Sequence, residues 1–216
     1  MKRAIVKEPK AVLHKIAKEV PMNTIASARI QQIIRDMSDT LRASEDGIGI
    51  AAPQIGLSLR MFVASEEALA FDSGQSRTLT NSDQDKKNRQ KKEWRHFVFI
   101  NPKLLKTSKK KQEDSEGCLS VPGVYGAVPR AEKVKVTAYD EYGKKFERGA
   151  AGLFARLLQH ELDHLQGRLF IDRLSWFRRR QMERRIRSVA CGRIVQSVHL
   201  GVHARDLFWD GRLRCP

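Results

Sequence analysis

Residues 152–165, GLFARLLQHELDHL, constrain the chain more than any other stretch. At 3.6 residues per turn, Leu153, Phe154, Leu157, Leu158, Leu162 and Leu165 cover most sides of a helix. A helix apolar nearly all round belongs in the interior, so the rest of the chain must be built around it. The same helix carries His160, Glu161, Asp163 and His164. Positions four apart share a face, so His160 and His164 can offer two imidazoles to one cation. Glu161, one residue round, sits beside that cation without ligating it, where a carboxylate can take a proton from water. Two histidines and two carboxylates buried within five residues would be costly without a metal. The segment therefore points to a bound divalent ion.

The elements around this helix read as α+β. Residues 25–41 repeat apolar side chains at helical spacing (Ile30, Ile33, Ile34, Met37, Leu41), with Arg35, Asp36 and Asp39 on the polar face. GIGIAAPQIG, 47–56, reads as a loop of small residues, followed by a short strand over 60–64. Residues 66–95 have no period and read as a long polar and basic inserted loop. A strand over 97–101 is expected to stop at Pro102, and 133–140 alternates cleanly and returns through EYGKKF as a hairpin. Gly167 is expected to end the central helix. A second helix, 175–190, sets Trp176, Phe177, Met182, Ile186 and Val189 beside six arginines. The expected architecture is antiparallel sheets and hairpins packed around the buried helix, with a basic C-terminal helix. One domain is expected over 1–187, and 188–216 form a basic extension.

Charge separates the chain further. The net charge is +16. Residues 86–111 hold 11 Lys/Arg against one acid, and 176–216 hold 10 arginines against three acids, so the remainder is almost neutral. A neutral body with two basic attachments suggests a polyanionic partner such as RNA. Cys118, Cys191 and Cys215 are too few and scattered for a disulfide framework, which fits free thiols in a reducing compartment, the cytoplasm. No apolar run approaches the roughly 20 residues needed to cross a bilayer, and 1–20 lack the uninterrupted apolar stretch of a secretory signal. No membrane partner is expected.

Which residue completes the metal site decides the chemistry. An HExxHxxGxxH layout is followed through HELDHLQG and then meets Phe170, which cannot coordinate. A zincin-type metalloprotease of the thermolysin kind would use a downstream Glu. Glu183 lies 19 residues beyond His164, but in the arginine-rich run MERRIR. The upstream candidate is Cys118 in SEGCLSVPG, 115–123. One thiolate and two imidazoles hold a tetrahedral ion with one position open. A non-enzymatic alternative is a ribosome- or RNA-binding module that keeps a structural metal with four ligands.

GIGIAAPQ (47–54), EGCLS (116–120) and QHELDH (159–164) resemble, in this order, the three signature motifs of the peptide deformylases. VPRAEKVKV and GRLFIDRLS are also similar to that family, and the resemblance covers about 5–187. It implies a metal-dependent hydrolase that removes the formyl group from the N-terminal formyl-methionine of nascent polypeptides. The ion would be ferrous iron, with zinc as the alternative, held by Cys118, His160 and His164. Water at the open position would attack the formyl carbon with Glu161 as general base and then acid. The side-chain amide of Gln54 and the backbone N–H of Leu119 would stabilise the oxyanion. Ile48, Gly49 and Gly117 would pair with the nascent peptide like an added strand. Ile48, Leu157 and His160 would line the methionine pocket. Glu116 and Arg130 would form a buried salt bridge bracing the Cys118 loop, and Asp163 would orient a ligand histidine or cap backbone. The family also implies association with ribosomal RNA, here through the basic segments 176–192 and 86–95. His199 and His203, with no carboxylate or cysteine beside them, are expected not to be ligands.

Overall fold

The computed structural model describes residues 1–44, 47–70, 94–176 and 178–180. Among the described residues, seven strands form two antiparallel sheets. β1 (Gly49–Ala51), β2 (Met61–Ser65), β3 (His96–Thr107), β6 (Lys133–Tyr139) and β7 (Lys145–Ala151) lie side by side in the order β1-β2-β3-β6-β7. β4 (Lys111–Cys118) and β5 (Val121–Ala131) pair separately as a hairpin. The helices that lie wholly within the described residues are α1 (Ala28–Arg42), the single turn α2 (Glu67–Ala70) and α3 (Gly152–Leu165), and 176 and 178–180 are helical as well.

Alternation along β2 explains the layering. Side chains of successive strand residues point to opposite faces. Phe62 and Ala64 join Phe99, Val134, Val136 and Ala138 against Phe154, Leu157, Leu158, Leu162 and Leu165 of α3. Met61 and Val63 join Val98 and Ile100 against Ile30, Ile33, Ile34, Met37 and Leu41 of α1 on the other face. All five residues of β2 are buried for this reason. Phe62 and Phe99 stack at 4.5 Å beneath α3. At about 1.5–3 kcal/mol per buried large apolar side chain, the five on α3 offset part of the cost of burying Arg156, Glu161, Asp163 and His164 on the same helix. A third cluster ties the β4–β5 hairpin, through Val121, Val124 and Val128, to Leu13 and to the 3-10 turn Phe170–Arg173.

α3 ends where the sequence stops it. Gly167 has φ of 69°, and a Cβ there would lie 2.6 Å from the His14 carbonyl carbon, so only glycine fits both the left-handed conformation and the close packing.

Several sequence expectations need correction. α1 begins at Ala28, with Ser27 as its N-cap, rather than at 25. Asp36, assigned above to the polar face, is buried and bonded to the Met1 amino group and to Arg3. Part of the 47–56 loop is the edge strand β1, because a three-residue strand shows too little alternation to recognise. β3 runs through Pro102 to Thr107. Its pairing with β6 shifts register between Ile100 and Lys103, so the proline sits at an irregularity where no ladder bond is lost. The β4–β5 hairpin was not anticipated. Of 66–95, only 66–70 and 94–95 are described, and of the second helix only 175–176 and 178–180; the remainder, with His199 and His203, lies outside the described residues.

Asn101, beside this irregularity, has φ of 50° and is buried. Its side chain accepts from Val20 N–H and donates to Val20 C=O, both at 2.8 Å. Asn101→Ala leaves both backbone groups without partners, at about 1–3 kcal/mol. For a chain of this size that lowers Tm by about 2–12 °C. Turnover on small peptides should not change, and calorimetry with an activity assay checks both.

Candidate active site

Helical spacing puts His160, Glu161 and His164 on the stretch of α3 that faces β1 and the β4–β5 turn. Cys118 is the last residue of β4. The pairing of β4 with β5 shifts between Gly117 and Cys118, a bulge that re-aims the thiol out of the ladder. Cys118 Sγ lies 3.3 Å from His164 Nε2, and the ligand atoms of Cys118, His160 and His164 all lie within 4.8 Å of one another. Bonds of about 2.3 Å to sulfur and 2.0–2.1 Å to nitrogen place tetrahedral ligand atoms about 3.5 Å apart, so these three fit one cation.

The electrostatics agree with that fit. Burial pushes the Cys118 thiol up, but His164 and His160 beside it hold it well below the ordinary thiol range. Burial lowers His160, yet hydrogen bonds to Cys118 and Glu116 outweigh it and raise the imidazole to about 10. The cluster thus favours a positive charge at its centre, which a divalent cation supplies in place of a proton. The Nδ1 of His160 is 3.0 Å from Glu116 Oε2, leaving Nε2 for the ion.

Glu161 is buried, and its Oε2 has no hydrogen-bond partner among the described residues. Burial raises its carboxyl to about 7, with His164 and His160 pulling the other way. Its other oxygen lies against Gly49: a Cβ there would be 2.6 Å from Glu161 Oε1 and 2.6 Å from Leu157 Cδ1. Gln54, on the 3-10 turn Ala52–Ile55, is fixed by accepting from Ala51 N–H at 2.8 Å. Its Nε2 points at the Cys118 sulfur (3.5 Å) and Ser120 Oγ (3.3 Å). No acceptor among the described residues takes the Leu119 N–H.

The structure refines the β1 candidates. Ser65 N–H donates to the Ile48 carbonyl at 2.8 Å, and Gly49 pairs with Ala64. Antiparallel alternation then turns the N–H and C=O of Gly49 toward the unpaired edge of β1. Ile48 is left with its side chain, which packs beside Leu157 in the α3 cluster. Gly117 lies under the exposed ring of Tyr125, whose Cε1 would be 2.7 Å from a Cβ at that position.

Glu116 and Arg130 are both buried and joined by two bonds of 2.9 Å. The network is wider than expected. Arg156 Nη1 also donates to Glu116 Oε1 at 2.8 Å and to the Val128 carbonyl at 2.8 Å. Asp163 contacts neither ligand histidine; its carboxylate instead accepts from Arg130 and Arg173. Arg130 Nη1 and the Arg173 guanidinium face Asp163, so its carboxylate balances charge that Glu116 alone leaves among Arg130, Arg156 and Arg173. Arg156 was legible as a charge amid apolar helix positions, which cannot stay buried unpaired. Ser120 and Arg173 carried no such signal.

Two histidines of a buried helix meet a strand-end cysteine, with an unpartnered carboxylate oxygen beside them, which defines the class: an α+β protein with a candidate site for one metal ion. Residues 2–180 match the family Polypeptide deformylase, and the chain belongs to it. It is 42% identical over 173 residues to peptide deformylase 1A, chloroplastic/mitochondrial, of Arabidopsis thaliana, covering 79% of this chain and 60% of that protein. It is 37% identical to a peptide deformylase of Polynucleobacter necessarius over 84% of this chain and 91% of that one. The crystal structure of a peptide deformylase from Legionella pneumophila superposes with a TM-score of 0.70 at 37% identity, covering 88% of this chain and 96% of that chain. The chain thus spans about 60% of the plant relative and most of the bacterial proteins.

Proposed function

We propose that this chain hydrolyses the formyl group from the N-terminal formyl-methionine of nascent polypeptides, releasing formate and a free amine. The observation that carries the reading is the convergence of Cys118 Sγ with His160 and His164 beside the unpartnered Glu161 Oε2. Cys118, His160 and His164 would hold the cation, ferrous iron as the working metal with zinc as the alternative, since a mixed thiolate–imidazole set suits both. When bound, that ion polarises the formyl oxygen and makes water acidic enough to deprotonate near neutral pH.

The protein's own groups do the rest. Glu161 accepts the proton of the attacking water as the new C–O bond forms, then delivers it to the methionine nitrogen as the C–N bond breaks. Gln54 Nε2, 3.5 Å from the sulfur, and the N–H of Leu119, the residue after Cys118, donate to the oxygen on which negative charge develops. The open edge of β1 at Gly49 hydrogen-bonds the peptide main chain as an added strand, with Gly117 opposite. Ile48 and Leu157 receive the methionine side chain. Gly49 lies so close to Glu161 and Leu157 that a side chain there would collide with both. Gly49→Ala should therefore cut kcat/KM at least 100-fold, because its Cβ would displace the carboxylate. Steady-state kinetics with formyl-Met-Ala tests this.

The buried Glu116–Arg130 pair, with Arg156 and Asp163, braces the Cys118 strand against α3. We place the catalytic domain over 1–187, with 188–216 as an extension, in the cytoplasm where nascent chains emerge. No helix among the described residues is long and apolar enough to cross a membrane. For the ribosome, the reading rests on the charge of 176–192 and 86–95. Within the described part, Arg178 pairs with Glu113, Arg179 with Asp172, and Arg180 lies over Trp176.

The deciding experiment supplies ferrous iron anaerobically to the purified protein with formyl-Met-Ala and measures formate. Absence of formate sinks the reading.

A further inference from the structure

We infer that Lys7 is a positioning residue for the Leu119 N–H, in a strap formed by residues 6–8. The inference rests on the reaction proposed above. Three consecutive residues reach the two loops that carry the oxyanion donors. Val6 N–H donates to the Gln54 carbonyl at 2.8 Å, Lys7 Nζ donates to the Leu119 carbonyl, and Glu8 N–H donates to the Ser120 carbonyl at 3.0 Å. One loop is the 3-10 turn Ala52–Ile55, and the other is the turn between β4 and β5. Inside the site the same loops meet through the Gln54 side-chain amide, 3.3 Å from Ser120 Oγ, long for an N–H···O bond, and 3.5 Å from Cys118 Sγ, a weak acceptor. The strap supplies shorter ties on the other side.

The turn itself shows why the lysine matters. Ser120 N–H points back to Cys118 Sγ at 3.4 Å, and both turn carbonyls, of Leu119 and Ser120, are held by the strap. The Leu119 N–H is left without an acceptor among the described residues. A two-residue turn whose other polar groups are all anchored presents that one donor in a fixed direction. Donors already aimed at the developing charge spare reorganisation during reaction. Removing the Lys7 ammonium frees the Leu119 carbonyl, and with it the orientation of the neighbouring peptide plane. Lys7 is exposed, so the fold does not depend on it.

The test uses the full metal-loaded chain with Lys7→Met and Lys7→Arg. Lys7→Met should lower kcat on formyl-Met-Ala-Ser about 10-fold, less than the 100-fold or more that follows deletion of an oxyanion donor. KM, affinity for the product Met-Ala-Ser, metal stoichiometry and Tm should stay at wild-type values, and Lys7→Arg should keep at least half the rate. In the zinc-loaded protein, the 15N order parameter of Leu119 should fall from the rigid range of about 0.85 toward 0.6 in Lys7→Met. A kcat within twofold of wild type, a rate loss matched by lost metal or lower Tm, or an unchanged order parameter overturns the inference. Wild-type protein that releases no formate would instead overturn the reaction, and the order parameter would still decide what Lys7 does to the turn.

Discussion

Glu161→Gln lowers turnover of formyl-Met-Ala by about 10²–10⁴-fold while the protein keeps its metal. The substitution is nearly isosteric, so packing against Gly49 and Leu157 is preserved. An amide cannot accept the proton of the attacking water, and that is the one function the unpartnered Oε2 is placed to perform. The change also removes a buried charge that burial already pushes toward its neutral form. Tm should therefore hold or rise, because desolvating a carboxylate is costly. Kinetics, metal analysis and calorimetry on one preparation separate the outcomes. Loss of metal would make Glu161 a ligand, and unchanged turnover would remove it from the reaction.

Much of this site could be read in the sequence because it sits on a helix. Periodicity places His160, Glu161 and His164 relative to one another whatever the tertiary fold, and an apolar surround marks them as buried. Cys118 needed more. Its sulfur reaches the histidines only through a bulge at Gly117, a local irregularity that no repeat announces. The β4–β5 hairpin was missed because KQEDSEG has seven residues with no apolar alternation, and six of them are exposed or only partly buried. Pro102 misled for a related reason. A proline forbids a ladder bond but not a strand, and the shift of register that accommodates it depends on Asn101 and Val20, 81 residues apart in the chain. Asp36 looked solvated because its partners, Arg3 and the Met1 amino group, lie far away in sequence. Local pattern thus carried the helices and the ligand pair, whereas contacts distant along the chain, including the strap at Lys7, had no pattern to reveal them.

Cys118→Ser tests the donor set most directly and should abolish both stoichiometric metal and turnover. The hydroxyl occupies nearly the same place, but it is not a thiolate. The Cys118 thiol is held well below its usual range by the two histidines, so it ionises and binds a cation without competition from its own proton. A serine hydroxyl stays protonated beside the same imidazoles and is a hard, weak donor. Two histidines alone then hold the ion, and the loss should show in stability as well as rate. A ligand present at 1,000 times its dissociation constant stabilises the folded state by about 4 kcal/mol. For a domain of this length that corresponds to about 8–16 °C in Tm. Chelator should lower the wild-type Tm by this amount and leave Cys118→Ser, already lowered, almost unmoved. Glu161→Gln should respond to chelator as the wild type does, which separates holding the metal from moving the proton. If Cys118→Ser retains one tightly bound metal per chain, the sulfur is not a ligand. The cation would then need another third donor, either Glu161 beside the histidines or Glu183 of the protease alternative.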